Sequence, residues 1–451
     1  MSVSLFDAFL STPEMIAAFD DGAVVQAMFR FEETLARAQA AHGLIPDSAA
    51  RAIAGVCKAP LYDIPALVHA SRRAGSLAIP LVKELTAAVA LYDKEASTWV
   101  HYGSTSQDVI DSAMVLVTRE ALALLDAGLA TLVDTLLALA ERHAGTPVLA
   151  RTLMQPAQVT SFGFKAALWA APLVRSQAQL KSCAARALQL QLGGAVGTRA
   201  VMGAQGAAVA RHMADELGLA CPAVAWHTQR DEWVRLGLEV AVLTGSLGKI
   251  ATDLALMAQG EIGELAEPVA VGRGGSSAMP HKRNPVAAMI ALAASGRSPH
   301  AAANLLGAMG QQHERGLGNW QAELAGWPGL FLSAHGALAA LNEAMAGLQV
   351  DEARMRANID ALGGLVFGEA LAGCIGAVIG RPAAHTMVEE LTRSAVAQQR
   401  HLAEVASDAV EQDERLRGRI DLARWQALFD LDAAAQPAAA LAHEVLRTLR
   451  P

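Results

Sequence analysis

An all-α protein is the fold class this sequence predicts, on three observations. Apolar residues make up 53% of the 451 residues, yet aromatics only 4%. Much of the apolar share is alanine and leucine, which favour packed helices over sheets. Apolar residues also recur every three to four positions over stretches longer than an ordinary globular helix.

The elements follow in order. Val24, Met28, Phe31, Leu35 and Ala38 mark one face of a first helix, which Gly43 and Pro46 end. Shorter helical pieces continue to about Val100. From Asp108 to His143 the pattern is one uninterrupted helix with the stripe Leu122, Leu125, Leu129, Leu132, Leu136 and Leu139, stopped by Gly145 and Pro147. Roughly 35 residues at ~1.5 Å each gives about 50 Å. Further long helices are expected from Ala157 to Gln191 with a kink near Pro172, from Arg230 to Glu264, from Pro285 onward, and from Trp320 to Leu348. Five long helices with short connections describe an elongated central bundle. The expected division is an N-terminal helical region (1–104), the bundle (105–350) and a C-terminal helical region (351–451).

The net charge of −8 argues against a general nucleic-acid binder. An anionic substrate would need a local cluster of cations. Cys57, Cys183, Cys221 and Cys374 are scattered without ligand-like spacing, as buried reduced thiols would be. The opening MSVSLFDAFLSTPEM has no basic n-region or apolar core, and Asp126 and Asp134 interrupt the apolar segment after Ala121. The expectation is a cytoplasmic protein with no membrane association.

Gly274 to Pro285 reads GGSSAMPHKRNP and concentrates the chemistry. The glycines free the backbone for close approach. Ser276 and Ser277 can move protons, and Lys282, Arg283 and Asn284 supply charge and donors. A proton carrier beside a fixed cation is what elimination or addition next to a carboxylate requires. The segment resembles the signature loop of the fumarase/aspartase superfamily, Gly-Ser-Ser-x-Met-Pro-x-Lys-x-Asn-Pro. Every fixed position is met, by Gly275, Ser276, Ser277, Met279, Pro280, Lys282, Asn284 and Pro285. The resemblance implies the three-domain superfamily fold, a homotetramer around the helical bundle, and active sites shared between subunits.

Other segments fit the same chemistry. HYGSTSQD (101–108) precedes the longest helix, where unpaired N–H groups favour anions. Ser106 or Asp108 suits the N-cap. The segment resembles a superfamily block that binds substrate carboxylate, which makes His101, Ser104, Thr105 and Ser106 candidate contacts. In WHTQRD (226–231), Gln229 and Arg230 could bind a carboxylate. In QQHERG, Arg315 is a candidate because neighbouring branches line their sites with a His-Glu-Arg run there. The small-residue turn around Gly193 and Gly194 reads first as tight packing.

One block departs from the superfamily. In ARTLMQPAQVT, Thr152 and Gln155 keep the pattern as substrate contacts, but Leu153 stands where many lyases carry a histidine that protonates a leaving nitrogen. Leucine cannot transfer a proton. An amine leaving group needs one; a carboxylate, ionised above about pH 4, does not. The resemblance is therefore strongest to a lactone-forming branch acting on a small tricarboxylate, without metal or other cofactor. In that reading Ser276 donates a proton to carbon, with His281 as the alternative donor and a substrate contact, and Lys282 and Asn284 stabilise the enolate-like charge. The rivals are an adenylosuccinate-type lyase and a non-catalytic, crystallin-like protein on the same scaffold.

Overall fold

The computed structural model describes residues 5–269, 274–275, 279, 282–420, 425 and 427–450. Helices dominate: α1 (Leu5–Phe9), α2 (Pro13–Ala18), α3 (Asp21–Ala41), α4 (Asp47–Val56), α5 (Ile64–Ala74), α6 (Ala78–Ala90), α7 (Ser106–Arg142), α8 (Phe162–Ala187), α9 (Gly206–Leu217), α10 (Asp231–Met257), α11 (Val286–Ala308), α12 (Asn319–Ala346), α13 (Glu352–Asp360), α14 (Gly368–Ile379), α15 (Arg381–Gln398), α16 (Leu402–Gln412) and α17 (Leu431–Leu449). The five long helices expected from periodicity are α7, α8, α10, α11 and α12. In α7 the expected stripe is buried from Leu125 to Leu139, with only Leu122 partly exposed.

The fold is not purely helical. Residues 157–161, expected to open the second long helix, lie instead in a β-hairpin. Strand β1 (Pro147–Thr152) pairs antiparallel with β2 (Gln155–Ser161), and α8 begins only at Phe162. The two-residue turn, Leu153-Met154, has φ of +50° and +65°. That left-handed pair is ordinarily built from Asn and Gly, so the usual hairpin signal is missing. A second small pairing joins β3 (Leu265–Ala266) to β4 (Gln349–Val350).

The chain divides into two compact units, and α7, α8, α10, α11 and α12 each contribute residues to both. The first comprises Met1–Ala130, Arg175–Gly248 and Ile290–Ala340. Its core holds Met28, Phe29, Phe31, Leu35, Trp327 and Phe331 out of water, each burial worth roughly 1.5–3 kcal/mol. Trp233 and Trp327 stack at 3.9 Å, and the Trp327 indole N–H donates to Thr118 at 2.9 Å. The second unit comprises Thr131–Val174, Lys249–Met289 and Leu341–Pro451. It contains the hairpin and a core of Leu371, Ile375, Leu391, Leu402 and Trp425. Arg151 of β1 grips buried Glu264 through two hydrogen bonds of 3.0 and 2.7 Å, and Asn358 donates to the same carboxylate at 2.9 Å.

Three helices, α7, α10 and α12, are long and apolar enough to cross a membrane by length and composition, which the sequence reading did not anticipate. Their most apolar windows are only 39, 50 and 61% buried within this chain. Much apolar surface thus remains available to whatever covers these helices.

The hairpin tip carries a stability cost. Replacing Leu153-Met154 with Asn-Gly should stabilise the second unit by about 1–2 kcal/mol, because Asn and Gly adopt the left-handed region at lower cost than Leu and Met. Thermal unfolding checks this; an unchanged or lower midpoint would show that the turn is unstrained.

Candidate functional site

Within the first unit the site is organised by Asp108, in the first turn of α7. Its carboxylate is fully buried. It accepts from the backbone N–H of Thr105 at 3.1 Å, of Gly193 at 2.9 Å and of Gly194 at 2.8 Å. His227 Nε2 lies 2.7 Å from Oδ1, and the Ser104 hydroxyl 3.5 Å from Oδ2. A buried carboxylate needs such a set, since each donor offsets part of its lost hydration. The bond back to Thr105 makes Asp108 the returning half of a capping box, with Thr105 at the N-cap. Asp108 is thus a structural hub behind the loop.

Gly193 and Gly194 owe their identity to this hub. A Cβ on Gly193 would fall 2.5 Å from the Ala225 Cβ, and one on Gly194 would fall 2.8 Å from the Gly103 carbonyl oxygen. The turn packs tightly, as expected, but its N–H groups also hold the anion-facing loop in place.

In front of Asp108, Ser104, Thr105 and Ser106 are partly exposed at the start of α7. Arg315 Nη1 donates to Thr105 Oγ1 at 3.0 Å, and Nη2 donates to the Ala195 carbonyl at 2.8 Å. With Thr105 Oγ1 accepting from Arg315, its own O–H is free to donate outward. The Thr105 hydroxyl, the Arg315 guanidinium and the N-terminus of α7 therefore meet, an arrangement suited to a carboxylate. Gln229, in the WHTQRD segment, is exposed, and among the described residues its amide reaches only the Thr228 hydroxyl, at 3.5 Å.

Arg230 does not join this surface. It is 1% exposed and is committed to Asp111 at 2.8 Å and to Glu323. Trp226 lies under its guanidinium at 4.5 Å, and the Trp320 indole and Gln191 amide complete the shell of Asp111. Burial works against the charge, but the two carboxylates outweigh it and hold the pKa above its ordinary value. The expected ligand contact is corrected to a buried ionic node that joins α7, α10 and α12. The motif alone does not show this, because the partners of Arg230 lie 119 and 93 residues away in sequence.

His101 has φ of +58°, and its Nδ1 lies 2.5 Å from Glu32 Oε1. Glu32 is 1% exposed. Burial alone would lower the His101 pKa; Glu32, with a smaller contribution from Asp108, reverses this and raises it.

In the second unit, Thr152 and Gln155 pair across the base of the hairpin turn and are exposed. Leu153 between them is 97% exposed. The described part of the glycine-rich loop shows how its neck is closed. The Asn284 N–H donates to the Gly274 carbonyl at 2.9 Å, and Gly274 has φ of +67°. A Cβ there would meet the Asn284 carbonyl oxygen at 2.8 Å. Glu267 accepts from the Ala287 and Ala288 N–H groups at 3.0 and 3.1 Å, anchoring the start of α11 just beyond the neck. A cavity of about 430 Å³ adjoins this neck, lined by Gln259, Gly274, Gly275, Lys282 and Asn284 among others. Lys282 is exposed there with no partner among the described residues. Ser276, Ser277 and His281 lie outside the described residues.

Three residues escaped the sequence reading as parts of the site's frame: Asp108 as a hub, His227 and Glu32. Asp108 and His227 sat inside quoted motifs, yet only the fold brings together positions 119 residues apart. Glu32 carried no local signal beyond being a charge on an apolar helix face.

The likeness to known proteins is full-length. Residues 10–297 match the Lyase family. The chain is 45% identical over 426 residues to the 3-carboxy-cis,cis-muconate cycloisomerase of Bradyrhizobium diazoefficiens, covering 94% of each protein. It is also 45% identical over 414 residues to the protein of that name from Pseudomonas aeruginosa, covering 92% of this chain and 90% of the other. The crystal structure of the 3-carboxy-cis,cis-muconate lactonizing enzyme from Pseudomonas putida matches with a TM-score of 0.92 at 39% identity, over 99% of both chains.

The buried ionic node sets a stability test. Arg230→Met leaves Asp111 and Glu323 facing each other without a cation and should cost about 3–5 kcal/mol. Gln229→Ala, one position away on the surface, should stay within about 0.5 kcal/mol of the parent. Urea unfolding of both variants checks the contrast; equal stabilities would remove Arg230 from the frame.

Proposed function

The chain belongs to the fumarase/aspartase superfamily, and from that premise we propose how it works: it is a cycloisomerase that closes 3-carboxy-cis,cis-muconate to 4-carboxymuconolactone in the β-ketoadipate pathway. The observation that carries this reading is the full-length likeness to enzymes of that name. Leu153 supports it independently. It stands at the hairpin tip between Thr152 and Gln155, where a proton donor would be needed to expel an amine.

In the proposed reaction one substrate carboxylate attacks the conjugated double bond. A C–O bond forms and the π electrons move onto a neighbouring carboxylate as an enolate-like dianion. Lys282 and Asn284 stabilise that charge, with Thr105 and Ser106. Ser276 gives a proton to carbon and is recharged from solvent, with His281 the alternative donor. One carboxylate becomes an ester, so each turnover takes up one proton. Ser104, His101, Gln229, Thr152, Gln155 and Arg315 hold the remaining carboxylates; Arg230 is withdrawn from that set. Holding carboxylate and alkene in contact supplies several kcal/mol of the barrier reduction, on the order of that seen in well-oriented intramolecular reactions.

The assembly proposed is a homotetramer built on α7, α8, α10, α11 and α12 as an elongated central bundle, between an N-terminal region (1–104) and a C-terminal region (351–451). Its active sites combine loops of different subunits, and partner helices cover the apolar faces of α7, α10 and α12. A cytoplasmic location fits such a protein.

Ser276→Ala should lower kcat for loss of 3-carboxymuconate absorbance by about 10²-fold or more, with the assembly unchanged by light scattering. Near-normal turnover would exclude Ser276 as the donor. Leu153→His should bring no large gain in cycloisomerisation; a large gain would overturn the argument from the leaving group.

A further inference from the structure

We propose that Glu32 is a positioning residue for His101, holding the imidazole so that Nε2 presents an N–H to a substrate carboxylate. This rests on reading His101 as a substrate contact, but the geometry stands apart from that reading. Glu32 lies in the middle of α3, 1% exposed, and its only described bond is to His101 Nδ1 at 2.5 Å. Its second oxygen, Oε2, is buried without a partner among the described residues. A buried carboxylate with a single hydrogen bond would be expensive unless its neighbour also balanced its charge. On the other side of the ring, Nε2 has no hydrogen-bond partner among the described residues, although the side chain is only 16% exposed. Nε2 is thus the edge of the ring that faces solvent, while Nδ1 is held against Glu32. An imidazole nitrogen left open three residues before Ser104 and four before Thr105 is poised for a ligand.

The tautomer follows from counting protons. While the pair keeps one proton beyond neutral imidazole and carboxylate, that proton sits between Nδ1 and Oε1. Whichever atom it rides on, the imidazole's other hydrogen must be on Nε2. The pair therefore offers a donor, which fits an anionic substrate. Once the shared proton is lost, Nδ1–H remains to satisfy Glu32 and Nε2 becomes a lone pair that repels a carboxylate. The backbone supports the same function. His101 pays for a left-handed φ of +58°, a cost of about 1–3 kcal/mol for a non-glycine residue, and the Gln39 amide pins the following carbonyl, that of Tyr102, at 2.6 Å.

Asp108 on α7, with His227 behind it, acts on His101; Cys57 after α4 faces Glu32, with Glu33 and Arg37 of α3 beside Cys57 in turn. Of these, Asp108 acts on His101 in the same direction as Glu32, and more weakly. The His101 pKa is raised, so its proton persists above the ordinary value near 6.5. Without the Glu32 charge, burial pulls it the other way.

Glu32→Gln keeps the size and a hydrogen-bonding oxygen but removes the charge. The wild-type KM should change less between pH 6 and 8 than that of the variant. In the variant, KM at pH 8 should exceed the wild-type value by about ten-fold, the scale of one charge-assisted hydrogen bond, and should fall as the pH is lowered, with kcat little changed. Parallel KM profiles in the two proteins would overturn the proposal. Histidine ¹³C NMR, with His101→Gln to identify the signal, reads the ring directly and needs no turnover. A lower His101 pKa in Glu32→Gln supports the pairing, and an unchanged one refutes it even if the substrate proves to be different. Should Glu32→Gln not fold, Glu32→Asp retains the charge at a longer reach. It should keep the wild-type KM profile, and a KM about ten-fold above the wild-type value at pH 8 would count against the proposal.

Discussion

The Asp108 carboxylate is the interaction on which the described site depends. One buried anion gathers the backbone of the 101–105 loop, the 193–194 turn and His227 into a single cluster. Its donors use both oxygens and come from segments 85 and 119 residues away. The anion sits behind the loop and holds the Thr105 N–H and, at 3.5 Å, the Ser104 hydroxyl, while Thr105 Oγ1 accepts from Arg315. The same device fixes Arg315, whose guanidinium reaches Thr105 and the carbonyls of the 194–195 turn. Removing the charge would release donors that have no other described partner.

A second buried cluster lies one turn further along α7. Arg230, Asp111 and Glu323 tie α7 to α10 and α12, and Trp226, Trp320 and Gln191 satisfy the remaining edges. Such a node contributes little net stability over apolar residues of equal size, but it is costly to break. Its value here is geometric. It ties α7, α10 and α12 together one turn along α7 from Asp108, within the first unit.

Much of the architecture was legible in sequence because long helices announce themselves by period. The stripe of α7 and the starts of α11 and α12 follow from residue spacing and helix-starting signals. The hairpin was not legible. Its turn uses Leu153 and Met154 at positive φ, where no turn signal exists, and Val159 and Thr160 blend into the helix pattern that follows. The anion-facing residues 104–106 were legible because they cluster in one motif. Arg230 misled because a charge beside a helix start looks exposed until its distant partners are known. Glu32 and His227 were silent for the same reason: a charge or a lone imidazole acquires a role only from the group folded against it.

The central claim is that this site adds a carboxylate to carbon and protonates the adjacent position, without expelling a leaving group. Proton NMR of the product formed from 3-carboxy-cis,cis-muconate by the wild-type protein in D₂O tests it most directly. The account predicts a five-membered lactone as the sole product, with one deuterium on the newly protonated carbon. Failure to form that lactone, together with release of fumarate from adenylosuccinate, would contradict it.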